Sequence, residues 1–344
     1  MTTLIATVLL SLPTVTVLPT PNGGIQPQAA TDAKGRIHLL YYSGDARSGD
    51  LDYVMSSDDA KTWSKPIRVN STPGSAVAAG TIRGGQIAVS PNGAVHVVWL
   101  GTTKPMSLCY SRMPVSAKAF ESQRAMEDRT VHMDGGASVA ADDKNVHIVW
   151  HAAAKESDGE ADRQVWVRSS KDSGKSFAKL TAVSSSLGAC SCCSLKAAMD
   201  GDGVRVLFRS AVEGMDRDVI ETGAQGVALA EATVRDRWKV HMCPMSSFAM
   251  AGDWAAWETM GVVKVNGAAL PGRSAKHPSL ARSGDTVLCA YVLGSGWQKG
   301  GTLGWCLLDK RGTILVSNLD AGPIPVWSLA SAVATRSGGY LVFR

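Results

Sequence analysis

The chain has 344 residues, 45% of them apolar, with 35 glycines and 10 tryptophans, a balance that fits short strands, many turns and a sizeable core. Its net charge of +5 is spread along the sequence, so the basic stripe that nucleic-acid binding needs is missing. No run of about 20 apolar residues occurs, which argues against a membrane-spanning helix.

In chain order, the first feature is the apolar run Leu4 to Leu12 within "MTTLIATVLLSLPTVTVLPT". It has the length of a secretory signal core without a preceding Lys or Arg, and it suits a β-strand equally well. Residues 1–17 are therefore read as a signal peptide or a closing strand, and 18–344 as the folded unit. The signal reading predicts a secreted or periplasmic protein.

One unit then recurs: an apolar strand, a turn rich in Asp, Asn or Gly, and a second strand that often ends in an aromatic. Its copies are "AATDAKGRIHLLYYSG" (29–44), "IAVSPNGAVHVVWLG" (87–101), "SVAADDKNVHIVWHA" (138–152) and "KAAMDGDGVRVLFRS" (196–210). They continue as "FAMAGDWAAWET" (248–259), "SLARSGDTVLCAYVLG" (279–294) and "SAVATRSGGYLVFR" (331–344). His38, His96, His147 and Arg205 hold equivalent places, 58, 51 and 58 residues apart. Further strands such as "DLDYVMSS" and "RQVWVRSS" follow each hairpin. Four strands per unit at a period near 50 residues predict an all-β, single-domain β-propeller. Seven hairpins predict seven blades, with six as the alternative because the fifth unit is short. The last hairpin lacks outer strands, so "LIATVLLSL" and "TVTVL" at the N-terminus are expected to close the ring.

"SSDDAKTW" (56–63) and "SKDSGKSF" (170–177) resemble Asp-boxes, with Asp58 and Asp172 capping a tight turn and Trp63 or Phe177 plugging the blade. The first carries Ala60 where the pattern has glycine. These turns resemble the sialidase-like, or BNR-repeat, propeller superfamily. The runs "IRGGQIAVS", "GGASVAAD", "CSCC", "CPMSS", "HPSLA" and "GWQKGGTLGW" are similar to a group of secreted bacterial sialidase-like proteins. The resemblance implies a glycan-directed pocket and an exo-sialidase-like glycosidase, with a polysaccharide lyase as the other enzymatic option. The F-R-I-P signature of sialidases is absent; "TIRGG" stands nearest to it.

In a propeller, residues just before the first strand of each blade and just after the second gather on one face around the axis. Before first strands stand Gln26, Arg83, Asp134, Cys190 to Cys193, Cys243 to Ser246 and His277. After second strands stand Tyr42, His151, Arg209 and Glu258, with Arg163, Arg217 and Trp297 slightly further out. The glycines beside Arg83 and Asp134 are expected to let backbone approach a ligand. A sialidase-like reading makes Arg83, Arg209 and Arg217 the grip on a carboxylate. Glu258 and Asp134 become acid/base partners, and Tyr42 the nearest nucleophile. His151, His277 and Trp297 complete a substrate-binding set, Trp297 as a stacking surface for sugar. The competing reading pairs these arginines with Asp134, Asp218 and Glu258 as a structural network. His38, His96 and His147 are strand residues without a ligand role.

Cys109, Cys289 and Cys306 fall inside apolar strands and read as buried thiols. Cys190, Cys192, Cys193 and Cys243 belong to the same face. In an exported protein their first reading is disulfide bonding, with three connectivities. Their second is a soft-metal site for Cu or Zn with Met245 as a further donor. No cofactor is otherwise required. The partner expected is a glycan or other small anionic ligand, bound by an enzyme or by a non-catalytic propeller; the sequence does not set the oligomeric state.

Overall fold

The computed structural model describes residues 12–344 apart from 81, 103–106, 157–158, 185–186, 214 and 227. Seven sheets stand around a common axis, so the chain is a seven-bladed β-propeller and the six-bladed alternative falls. Blade 1 runs Ile25–Thr31, Ile37–Asp45, Ser48–Ser56 and Ile67–Arg68; blade 2 runs Gln86–Val89, Val95–Leu100, Leu108–Met113 and Arg124–Ala125. Blade 3 comprises Ala137–Ala141, Val146–Ala152, Gln164–Ser170 and Thr181–Ala182, and blade 4 comprises Lys196–Asp200, Gly203–Arg209, Val219–Gln225 and Ala228–Asp236. Blade 5 is short but has all four strands, from Phe248–Ala251 to Ala268–Ala269. Blade 6 spans Ala275–Ser283 to Ile314–Asn318, with Pro323–Ile324 as an added edge.

Blade 7 is built from both ends of the chain. Ser331–Ala334 and Tyr340–Phe343 form its hairpin, and Val15–Leu18 pairs in parallel with the latter as the third strand. Residues 15–17 therefore belong to the ring. The run Leu4–Leu12 lies outside the described residues, apart from Leu12. Inner strands of successive blades touch all the way round, and that of blade 7 meets that of blade 1.

Stacked blades bury both faces of their middle strands, which is why "VHVVWL" in blade 2 reads as one apolar run and is buried throughout. The core is a set of layers between neighbouring blades. Leu40, Tyr53, Val97 and Trp99 fill the space between blades 1 and 2, and Tyr110, Ile148 and Trp150 that between blades 2 and 3. Similar layers continue to Leu39, Tyr41 and Phe343 between blades 7 and 1. His38, His96 and His147 serve within blades: their Nδ1 atoms bond the hydroxyls of Tyr53 (2.6 Å), Tyr110 (2.8 Å) and Ser169 (2.8 Å).

The two turns at 56–63 and 170–177 fold alike. Asp58 Oδ1 accepts from Thr62 N at 2.9 Å, and Asp172 Oδ1 from Ser176 N at 2.9 Å. Ser56 and Ser170 hydroxyls accept the amides of Ala60 (2.9 Å) and Gly174 (2.8 Å). Hydrogen bonds, led by the Thr62 hydroxyl, bring the Asp58 carboxyl down to about 2. Trp63 packs edge-on to Phe343 and Phe177 edge-on to Tyr110, so each aromatic seals its blade against the preceding one. Ala60 sits at φ 64° and Gly174 at φ 79°. A side chain at Gly174 would also collide with the Tyr110 hydroxyl. Gly174→Ala is therefore expected to destabilise the fold by at least about 1–2 kcal/mol, the left-handed backbone cost alone. A urea-denaturation midpoint unchanged from wild type would contradict this.

Candidate functional site

The loops that enter the inner strands converge on one face. Gln26, ahead of the inner turn of blade 1, donates through Nε2 to the carbonyls of Ala78 (2.6 Å) and Trp327 (2.7 Å). Arg83 reaches from the loop before blade 2 to Asp134 in the loop before blade 3, with Nε 3.0 Å from Oδ1 and Nη2 closing the ion pair. Both side chains keep partial solvent access. The neighbouring glycines serve packing rather than a ligand. A Cβ at Gly84 would strike the Gln26 side chain, one at Gly135 the Cys193 carbonyl, and one at Gly136 the Ile82 carbonyl.

Arg209 closes the second strand of blade 4 and is fully buried. Its Nη1 donates to the Arg217 carbonyl at 2.6 Å, and Nη2 to Ser246 Oγ at 3.2 Å and to the Glu258 carbonyl. The guanidinium lies 5.0 Å above the Trp238 ring. Glu258 lies within the second strand of blade 5, Trp254–Thr259, not after it as the sequence suggests, and is 1% exposed. Its Oε1 accepts the Gly261 amide at 2.7 Å; Oε2 stands 3.8 Å from Arg209 with no hydrogen bond. Burial outweighs the arginine and raises the Glu258 carboxyl above its ordinary value.

Arg217 pairs with Glu160 at 2.7 Å, not with Asp218, which faces Arg237. Glu160 Oε1 also accepts the Ser191 amide at 2.7 Å. Arg163 donates from Nη2 to His151 Nδ1 at 3.1 Å, so the proton of His151 sits on Nε2, 2.7 Å from the Cys193 carbonyl. Burial brings His151 to about 4 and His277 to about 3, leaving both imidazoles neutral at pH 7.

Enclosed by these groups are three sulfurs. Cys190 Sγ lies 3.5 Å from Cys192 Sγ and 3.4 Å from Cys193 Sγ, and all three fall within 4.8 Å of one another. Met245 packs against them. Burial opposes ionisation of Cys193. Thiol donors from Cys190 and Cys192, with Arg209 nearby, outweigh it and hold Cys193 well below the ordinary thiol value. All seven cysteines stand unbridged in this structure.

Two expected members leave the set. Cys243 is exposed and stands outside the sulfur cluster. Tyr42 is buried, and its hydroxyl donates to the Asp45 carbonyl and to the Ala76 carbonyl at 3.1 Å. Burial raises that phenol above its ordinary value. His277 is buried at φ 54°, with Nδ1 3.2 Å from Ser247 Oγ. Trp297 is 55% exposed, edge-on to Trp327, at the border of a small cavity of about 40 Å³ that Gly80, Met245, Lys276 and His277 share. A second cavity of about 190 Å³ follows the axis between inner strands and is lined by Gln28, Gln86, Lys196, Ser247 and Ser279 among others.

Glu160 and Lys196 escaped sequence reasoning. Glu160 sits three residues before Arg163, on the same loop, and that proximity was its signal. Lys196 lies on the inner strand of blade 4, where burial lowers its pKa.

No family model and no curated protein matches the sequence. Among solved structures the chain is similar to a lectin from Burkholderia pseudomallei, with 11% identity over 93% of this chain and 95% of that one, at a TM-score of 0.62. It is also similar to the alpha-L-arabinanase of Penicillium chrysogenum complexed with arabinobiose, with 11% identity, 88% and 99% coverage and a TM-score of 0.56. The alpha-L-arabinofuranosidase of Fusarium graminearum follows, with 10% identity, 86% and 96% coverage and a TM-score of 0.52. At these identities the likeness shows the propeller fold alone.

Proposed function

We propose that this propeller acts on an anionic carbohydrate at the face where the inter-blade loops meet, hydrolysing a glycosidic bond with Glu258 as proton donor. The observation that carries this reading is the state of Glu258. One of its oxygens is unbonded and buried, and its carboxyl is raised towards the protonated form that a general acid needs. Asp134, held by Arg83, is the second carboxylate, and Trp297 offers an exposed ring for a sugar. Solved propellers of similar shape include a lectin, an arabinanase and an arabinofuranosidase, which agrees with a carbohydrate ligand.

Sialic acid fits this reading poorly. The Tyr42 phenol is buried, and the guanidiniums of Arg209 and Arg217 already hold protein partners. Uronic-acid glycans are the favoured class. Export of the protein is part of the proposal, on the strength of the apolar run Leu4 to Leu12.

A second reading, binding without cleavage, is favoured by the near-complete burial of Glu258 beside the open Trp297. A panel of uronic-acid oligosaccharides, arabinans and sialosides, assayed for both turnover and binding, separates the two. Turnover of a uronic-acid substrate supports hydrolysis, and binding without turnover supports the second reading. Neither binding nor turnover across the panel overturns both.

A further inference from the structure

We infer that Cys190, Cys192 and Cys193 form a binding site for one Cu(I) ion, with the Met245 thioether as an additional donor. The trio comes from a single tight loop, and its sulfurs already converge: two separations are 3.4 and 3.5 Å and the third is under 4.8 Å. A metal about 2.3 Å from each of three coplanar sulfurs sets them about 4.0 Å apart. The observed triangle needs shifts of only some tenths of an ångström to meet this.

A second, independent observation is that the guanidinium groups around the sulfurs keep buried N–H atoms without acceptors. Arg163 Nε, Arg209 Nε, and Arg217 Nε and Nη1 are buried N–H groups without a hydrogen-bond acceptor. Arg163 reaches the loop through His151, which bonds the Cys193 carbonyl, Arg217 through Glu160, which bonds Ser191, and Arg209 through Ser246, whose Oγ is 3.9 Å from Cys193 Sγ. Buried donor groups in excess of their acceptors are costly. A Cu(I) trithiolate carries two negative charges in their midst and answers that excess. The choice of metal follows from the donors. Thiolate and thioether sulfur suit Cu(I), whereas zinc takes a fourth donor from Cys, His or carboxylate. Glu160 is already bonded to Arg217 and Ser191, and both nitrogens of His151 are engaged. Binding replaces the thiol protons by the ion and releases them to solvent.

The test titrates the reduced full chain with Cu(I) under anaerobic conditions, against a colorimetric Cu(I) chelator, and measures proton release and copper X-ray absorption. One equivalent per chain with sulfur-only first neighbours is expected. Cys193→Ser should weaken binding at least about 100-fold, since losing an outer partner of a metal site already costs 10–100-fold. Cys243→Ser should bind as wild type does. Met245→Leu should keep the stoichiometry with lower affinity. The absorption spectrum of the wild-type protein keeps the test decisive if Cys193→Ser does not fold. Failure to take up Cu(I) after reduction, nitrogen or oxygen in place of sulfur around the copper, zinc retained in preference to copper, or unchanged affinity in Cys193→Ser would each overturn the assignment. Glycan turnover plays no part in these readouts, so the carbohydrate reading stands or falls separately.

Discussion

Arg209→Met is expected to destabilise the protein by about 3–5 kcal/mol, the cost of leaving the partner of a buried ion pair uncompensated. Arg209 is fully buried and ties blade 4 to blade 5 through Ser246 and the Glu258 backbone, while its charge faces Glu258 Oε2. Methionine fills a similar volume but removes every donor. The urea midpoint should fall while the slope stays constant. Arg209→Met/Glu258→Gln should recover part of the loss, because the orphaned carboxylate is gone.

The pH dependence has a definite sign. The folded Glu258 pKa is raised, so the stability this group contributes is complete below the unfolded carboxyl pKa. It is lost as pH rises through the folded value. Removing Arg209 raises that value further, so the cost of Arg209→Met should be largest at neutral pH and shrink on acidification. A penalty that stays constant between pH 4 and pH 7, on the order of the carboxyl range and above it, would mean that Glu258 is not the group involved.

Glu258→Gln should lower glycan turnover by about 10²–10⁴-fold, the usual contribution of a general acid, with binding changed only a few-fold. Glutamine keeps the shape and can still accept the Gly261 amide, but it has no proton to transfer. In wild type the rate should decline as pH rises through the folded Glu258 value, and this limb should vanish in the variant. Undiminished turnover would remove Glu258 from the chemistry. Wild-type binding together with an absence of turnover would move the protein to the binding reading.

Much of the fold was legible in the sequence. The hairpin repeat follows from local alternation of apolar and polar residues, and the places of His38, His96 and His147 marked equivalent second strands. Blade 5 was recognisable despite its length because "FAMAGDWAAWET" keeps the hairpin pattern. The unpaired C-terminal hairpin called for an N-terminal partner, and Val15–Leu18 supplies it. The site was legible only in outline. Propeller geometry placed Arg83, Asp134, the CSCC loop and Trp297 towards one face, but gave no partners. Tyr42 shows the limit: a residue near the end of a strand can point into the layer between blades as readily as towards the pocket. Cys243 shows another, since the loop that carries it turns that thiol outward while Met245, two residues on, packs on the sulfurs.

The sequence by itself determined the propeller architecture, the order of the blade hairpins and the face on which the inter-blade loops lie, while the structure decided for seven blades over six and for closure by Val15–Leu18. The architecture, the order and the face depend on periodicity and turns within short windows of chain. Only the tertiary structure decided that Arg217 meets Glu160, 57 residues away. It also decided that Arg209 is bonded inward, that Glu258 keeps one oxygen unbonded and that the cysteine trio of one loop is surrounded by guanidinium groups. The contacts of Arg209 with Ser246 and Glu258, and of Arg217 with Glu160, join different blades, are set by how whole sheets pack, and no local pattern encodes them.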